Sequence, residues 1–169
     1  QLAADIARRF GPDGNTGVRL NAATHNGGTA INDEDAKLGL LAVGLDWRSR
    51  DVRLSGDLGW QDHQLKRTRT NVTLGAGVTS VPTVPDNQSN HAQPWSYSNE
   101  RDTFGTFRGE WDITPDVTAW AAAGARRSEE ANSLANITVN NGSTGAATAY
   151  RFDNTREDSV NTGELGVRG

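Results

Sequence analysis

The chain has 169 residues, of which 34% are hydrophobic, 19 are glycine and none is cysteine, and its net charge is −4. One ordinary domain, or a piece of a larger one, fits that length; the mild charge offers no clustered basic face for nucleic acid, and the missing cysteines remove disulfide frameworks and thiolate metal sites. No run approaches the roughly 18 consecutive apolar residues of a membrane-spanning helix, whereas a transmembrane barrel, with its polar lumen and loops, is compatible with this composition.

The first strand is expected over Leu2 to Phe10, alternating Leu2, Ala4 and Ile6 with Ala3, Asp5 and Arg9. Gly11-Pro12-Asp13-Gly14-Asn15 closes it, because proline presets φ and Gly, Asp and Asn tolerate left-handed backbone. A second strand, Gly17 to about His25, sets Val18, Leu20, Ala22 and Thr24 against Arg19, Asn21 and Ala23, and Asn26 to Ala36 reads as a polar loop.

Lys37 to Asp62 reads as a hairpin. Leu41, Val43, Leu45 and Trp47 share one face, and after the turn Arg48-Ser49-Arg50-Asp51 so do Val52, Leu54, Leu58 and Trp60. Arg53, Ser55, Asp57 and Gln61 take the other face, since side chains alternate along a strand. Tryptophan at both ends of an apolar face is the mark of the two aromatic girdles of an outer-membrane barrel.

From 63 to 101 a long loop is expected, with Pro82, Pro85 and Pro94 as breakers. A fifth strand over Thr103 to Ile113 alternates Gly105, Phe107, Trp111 and Ile113 with Thr106, Arg108, Glu110 and Asp112. After Thr114-Pro115-Asp116 a sixth runs from Val117 to about Arg127, with Trp120 on the face opposite the girdle. Ser128 to about Asp158 is expected as a third long polar loop, before a last strand that alternates Thr162, Glu164 and Arg168 with Gly163, Leu165 and Val167. Short and long connections therefore alternate, as they do between the two rims of an outer-membrane barrel.

With those residues in view, Asp5–Gln64, Ala92–Ser128 and Gly163–Gly169 resemble, in order, the early barrel of TonB-dependent siderophore receptors of the ferrichrome-receptor-like type. The resemblance implies an all-β antiparallel up-and-down meander of about seven strands, part of a barrel of about 22 in the bacterial outer membrane. It implies a ferric siderophore as transported ligand, held at the extracellular side, with no directly bound cofactor. The partners it implies are outer-membrane lipid, a plug domain and TonB. The chain starts at Gln1 without methionine and ends inside an alternating run. Residues 1–169 are accordingly expected to be a barrel fragment, with plug and C-terminal strands absent and its outer strands open to edge association.

Trp95 and Tyr97 are the candidate ligand-binding residues, because loop aromatics suit a bulky chelate; the structural alternative is that they close the loop onto the rim. Arg19, Arg53, Asp57, Arg108, Glu110, Glu164 and Arg168 are expected to line the lumen and pair across strands. Trp47, Trp60 and Trp111 are expected to form the membrane girdle. No metal site is expected: His63 and His91 lack paired spacing, and Asn32-Asp33-Glu34-Asp35 lacks the glycine and spaced glutamate of a calcium loop. No catalytic constellation stands out, and adjacent Asp62 and His63 would point to opposite faces. The competing reading is a soluble β-sandwich or adhesin-like binding module, which requires a thick two-sheet core.

Overall fold

The computed structural model describes residues 1–169. Eight strands form one sheet: β1 (Leu2–Phe10), β2 (Thr16–Gly28), β3 (Asp35–Arg48), β4 (Val52–Lys66), β5 (Asn71–Leu74), β6 (Tyr97–Thr114), β7 (Val117–Val139) and β8 (Ala147–Arg168). All except β5 pair with their chain neighbours as an antiparallel meander in the order β1-β2-β3-β4-β6-β7-β8. β5 pairs in parallel with Asn136–Val139 of β7, on the edge that β6 leaves free above Tyr97.

Connections at one end span only 11–15, 49–51 and 115–116; those at the other span 29–34, 67–96 and 140–146. At the short end, Gly11 (φ 75°), Asp13 (φ 55°) and Gly14 (φ 62°) occupy the left-handed region, which explains why the first turn is built from Gly and Asp.

Three sequence expectations need correction. The 128–158 loop is mostly strand: β7 continues to Val139, β8 begins at Ala147, and only 140–146 connects them. The 63–101 loop shrinks to 67–96 and contains β5, which also breaks the strictly antiparallel pattern. The 26–36 loop shrinks to 29–34. The cause is the same in each case. Above the apolar band polar residues dominate and the apolar ones fall on both faces, Leu134, Tyr150 and Phe152 on one and Ile137 and Val139 on the other, so hydrophobic alternation stops while backbone pairing continues in register.

The register fixes two faces over most of the sheet. Ile6, Leu20, Val43, Leu58, Gly105, Ala125 and Asn161 lie in one cross-strand row, and their same-face neighbours on β1 to β4 and β6 are mostly aliphatic or aromatic. The opposite face carries the arginines and carboxylates. Only nine of 169 residues are buried, while Ile6, Leu58 and Leu165 are 61%, 65% and 84% exposed. A sandwich would bury those residues between two sheets, so this single layer excludes the sandwich reading. The small buried cluster, with Ala92, Ser96, Asn132, Ser133, Ala135 and Val139, sits where segment 67–96 folds onto the upper half of β7.

Candidate functional site

The register places Arg19, Arg53, Asp57, Arg108, Glu110, Glu164 and Arg168 on one face, and Trp47, Trp60 and Trp111 on the other. Trp47 and Trp111 lie beside the short turns. Trp60 lies at the far end of the apolar band, opposite Leu41 and Thr103.

On the charged face, ion pairs run across strands. Arg19 on β2 binds Asp5 on β1 through two hydrogen bonds, at 2.9 and 2.5 Å. Arg9 on β1 reaches over β2 to Asp46 on β3 at 2.6 Å; it can do so because Gly17 lies beneath, where a Cβ would come within 2.2 Å of the Asp46 carboxylate. Arg53 grips Asp112 with two bonds of 2.7 Å and also meets Glu110 at 3.2 Å. Glu110 is a hub: it accepts from Arg53, from Arg108 at 3.0 Å and from Arg168 at 3.1 Å, and so ties β4, β6 and β8 together. The Arg108 guanidinium also contacts Glu164 at 3.5 Å and lies 4.6 Å above the Trp120 ring. Trp120 in turn lies over Gly166, whose hydrogen leaves room for the indole.

Asp57, midway along β4, is without such a pair. It accepts a hydrogen bond from Thr106 at 3.3 Å and has no guanidinium or ammonium partner.

Beyond Trp60 a second set of charges begins. Arg101 donates two hydrogen bonds to Asp62, which together with the Gln64 amide hold the Asp62 carboxyl below the ordinary carboxylate range against the opposing effect of burial. Arg126 meets Asp102 at 2.7 Å.

At the long-connection end, the structure places Trp95 in segment 67–96 with the Arg151 guanidinium 4.9 Å over its ring. Arg151 also binds Asp153 at 2.9 Å, and the buried Ser133 hydroxyl donates to the same carboxylate at 2.6 Å. These contacts, the serine first, lower the Asp153 pKa. Tyr97 begins β6 opposite Lys66 and Ser133, half-buried and in register with the apolar-face residues below it. Sequence reasoning did not single out Ser133, Arg151 or Asp153, because the partners are 20 or more residues apart along the chain or sit in a stretch without alternation.

A further contact joins two connections. Arg67, at φ 55°, reaches Asp33 at 3.3 Å, its N–H donates to the Ser96 carbonyl, and its own carbonyl accepts from the Asn90 amide at 2.9 Å. The acidic run 32–35 is thereby engaged internally: Asp33 by Arg67, and Glu34 by the Thr29 hydroxyl at 2.8 Å. His63 lies on β4 and His91 within 67–96.

No family model matches the chain. Over 167 residues, 99% of the chain, it is 34% identical to the ferrichrome receptor FcuA of Yersinia enterocolitica, of which it spans 22%. Among solved structures it is similar to BauA, the ferric preacinetobactin receptor of Acinetobacter baumannii, with a TM-score of 0.93 and 25% identity, covering 99% of this chain and 25% of that one. The siderophore receptor PiuA of Acinetobacter baumannii shares the fold at 14% identity and a TM-score of 0.77, covering 98% of this chain and 24% of that one. The chain thus spans about a quarter of the length of the receptors it matches.

Proposed function

We propose that this chain, which belongs with the β-barrels of TonB-dependent siderophore receptors, forms part of the wall of an outer-membrane receptor that takes up ferric siderophores. Its charged face lines the lumen and its apolar face meets lipid. The observation that carries this reading is the separation of the two faces, with tryptophan bracketing only the apolar one. From the level of Trp111, opposite Val52, to Trp60 is about 27 Å of strand at roughly 3.4 Å per residue. Tilted by about 40°, that becomes roughly 21 Å, near the band of about 25 Å typical of such barrels.

Within that wall the chain's own residues have distinct work. The Glu110 hub and the Arg53–Asp112 pair lock the register of β4, β6 and β8 by satisfying charges across strands. Trp47, Trp60 and Trp111 anchor the wall at the two interfaces. In the upper region, Trp95 offers aromatic surface for a bulky chelate and Arg151 a cation to its anionic oxygens, while Tyr97, in register with the apolar face, closes the wall above the band. Energy from TonB and contact with a plug belong to parts of such a receptor outside residues 1–169, and the wall performs no bond chemistry.

Binding of ferric hydroxamate and ferric catecholate siderophores to the full-length receptor, by tryptophan quenching or calorimetry, tests this. Binding of one class is expected, with a loss of roughly 2- to 12-fold for Trp95→Ala, the range one aromatic contact supplies, and no loss for Tyr97→Ala. No loss for Trp95→Ala removes that residue from the site; no binding of either class removes the receptor reading.

A further inference from the structure

Between the short turns and the cross-strand row of Trp60, the apolar face of the sheet carries one charged residue, Arg8. Its row reads Arg8, Val18, Leu45, Gly56 and Phe107 from β1 to β6. The other charged residues of β1 point the opposite way and are matched, Asp5 by Arg19 and Arg9 by Asp46. Arg8 is exposed and holds no carboxylate, and its guanidinium lies 5.2 Å over the Phe10 ring.

The direction of that side chain decides what it reaches. Phe10 ends β1 opposite Thr16, which is itself opposite Trp47. By lying over Phe10, Arg8 runs along its own strand toward the short-turn rim, rather than sideways to Val18 or to the open edge of β1. Two residues are about 7 Å of strand, or roughly 5 Å of depth at a tilt of about 40°. A long basic side chain keeps its stem in apolar surroundings and its head in the polar layer, and this head stands at the level of Phe10 and Trp47. A charge on a lipid-facing surface calls for a named partner. At that depth the anions a bilayer supplies are lipid phosphates, which a planar guanidinium meets with two parallel hydrogen bonds.

We infer that Arg8 docks the phosphate of a glycerophospholipid in the leaflet at the short-turn rim, with the Phe10 ring under the guanidinium and the acyl chains along Ile6, Val18 and Leu45. The inference rests on reading the apolar face as lipid-facing, and it adds a specific contact to it: a phosphate held at Arg8 fixes the depth of β1 in the bilayer.

The test uses the full-length protein with Trp47 as its only tryptophan, in bilayers of digalactosyldiacylglycerol, which has no phosphate. Dibrominated phosphatidylglycerol is compared with dibrominated digalactosyldiacylglycerol as the quencher. Expected is a preference of about fivefold for the phosphate-bearing quencher, the size of one basic contact at a membrane surface. It should fall to near unity in Arg8→Gln and be partly kept in Arg8→Lys, which retains the charge without the planar fork. No preference with Arg8 in place, or a preference that survives Arg8→Gln, overturns the inference. So does an unfolding midpoint that Arg8→Gln lowers equally with and without phosphatidylglycerol, because a carboxylate on the strand adjoining β1 is then the partner. Quenching of Trp47 by neither lipid removes the lipid-facing reading itself, whereas equal quenching by both removes only the phosphate contact.

Discussion

Replacing Gly59 by alanine tests whether glycines on the charged face exist to let large side chains lie flat along the wall. Gly59 on β4 is directly opposite Phe104 on β6, and a Cβ at Gly59 would come within 2.3 Å of the Phe104 ring. Carbon atoms settle at about 3.5–4.0 Å, so the ring has to retreat by at least about 1.2 Å. On its far side the opposite residue is Arg126, itself held by Asp102 at 2.7 Å, so the retreat is obstructed. Overpacking of this kind costs about 1–3 kcal/mol. In the Phe104→Ala background the obstacle is gone, and Gly59→Ala should become nearly neutral. A double-mutant cycle on the full-length protein, read by denaturant unfolding in lipid vesicles, should therefore give a coupling close to the full cost of the single substitution. An equal cost for Gly59→Ala with and without the Phe104 ring would refute the reasoning and point to backbone strain instead.

Quenching by brominated lipids should strike Trp47, Trp60 and Trp111 in single-tryptophan variants of the full-length protein and spare Trp120, which is on the charged face under Arg108; quenching of Trp120 to the same degree would reverse the assignment of faces. The lowered Asp153 pKa sets a pH response: because the folded carboxyl is harder to protonate than the unfolded one, its contribution is complete above the ordinary carboxylate range and fades as pH falls through the depressed value. Trp95 fluorescence should accordingly hold steady to below that range and change only in stronger acid, and Ser133→Ala should move the change to higher pH. Asp33→Asn removes a half-exposed pair with Arg67, worth about 0–1 kcal/mol. It should speed amide exchange around Arg67 while leaving the global unfolding midpoint in place, because the Ser96 and Asn90 hydrogen bonds remain.

Much of this molecule is legible wherever the two faces of a strand meet different surroundings. The hairpin from Lys37 to Asp62 is such a case: Trp47, Leu45, Val43 and Leu41 face Leu54, Gly56, Leu58 and Trp60 across the pair as their spacing implies. The residues of the charged face were equally readable, because arginines and carboxylates alternating with aliphatics leave one assignment of faces. From Ser128 to Val139 and from Ala147 to Asp158 polar residues dominate and the few apolar ones fall on both faces, so the period-2 signal vanishes and the segment reads as loop although its backbone is fully paired.

The sequence by itself determined the class of the fold, the sense of each spanning strand and which residues share a face, because alternation records a boundary between apolar and polar surroundings at every second residue. The tertiary structure alone decided the partners. Arg53 chose Asp112 and Glu110, Arg151 covered Trp95, β5 filled the edge above Tyr97, and Asp57 was left without a cation. Such pairings depend on the register between strands up to 65 residues apart, and that register is set by backbone hydrogen bonds and turn lengths rather than by anything a single strand carries.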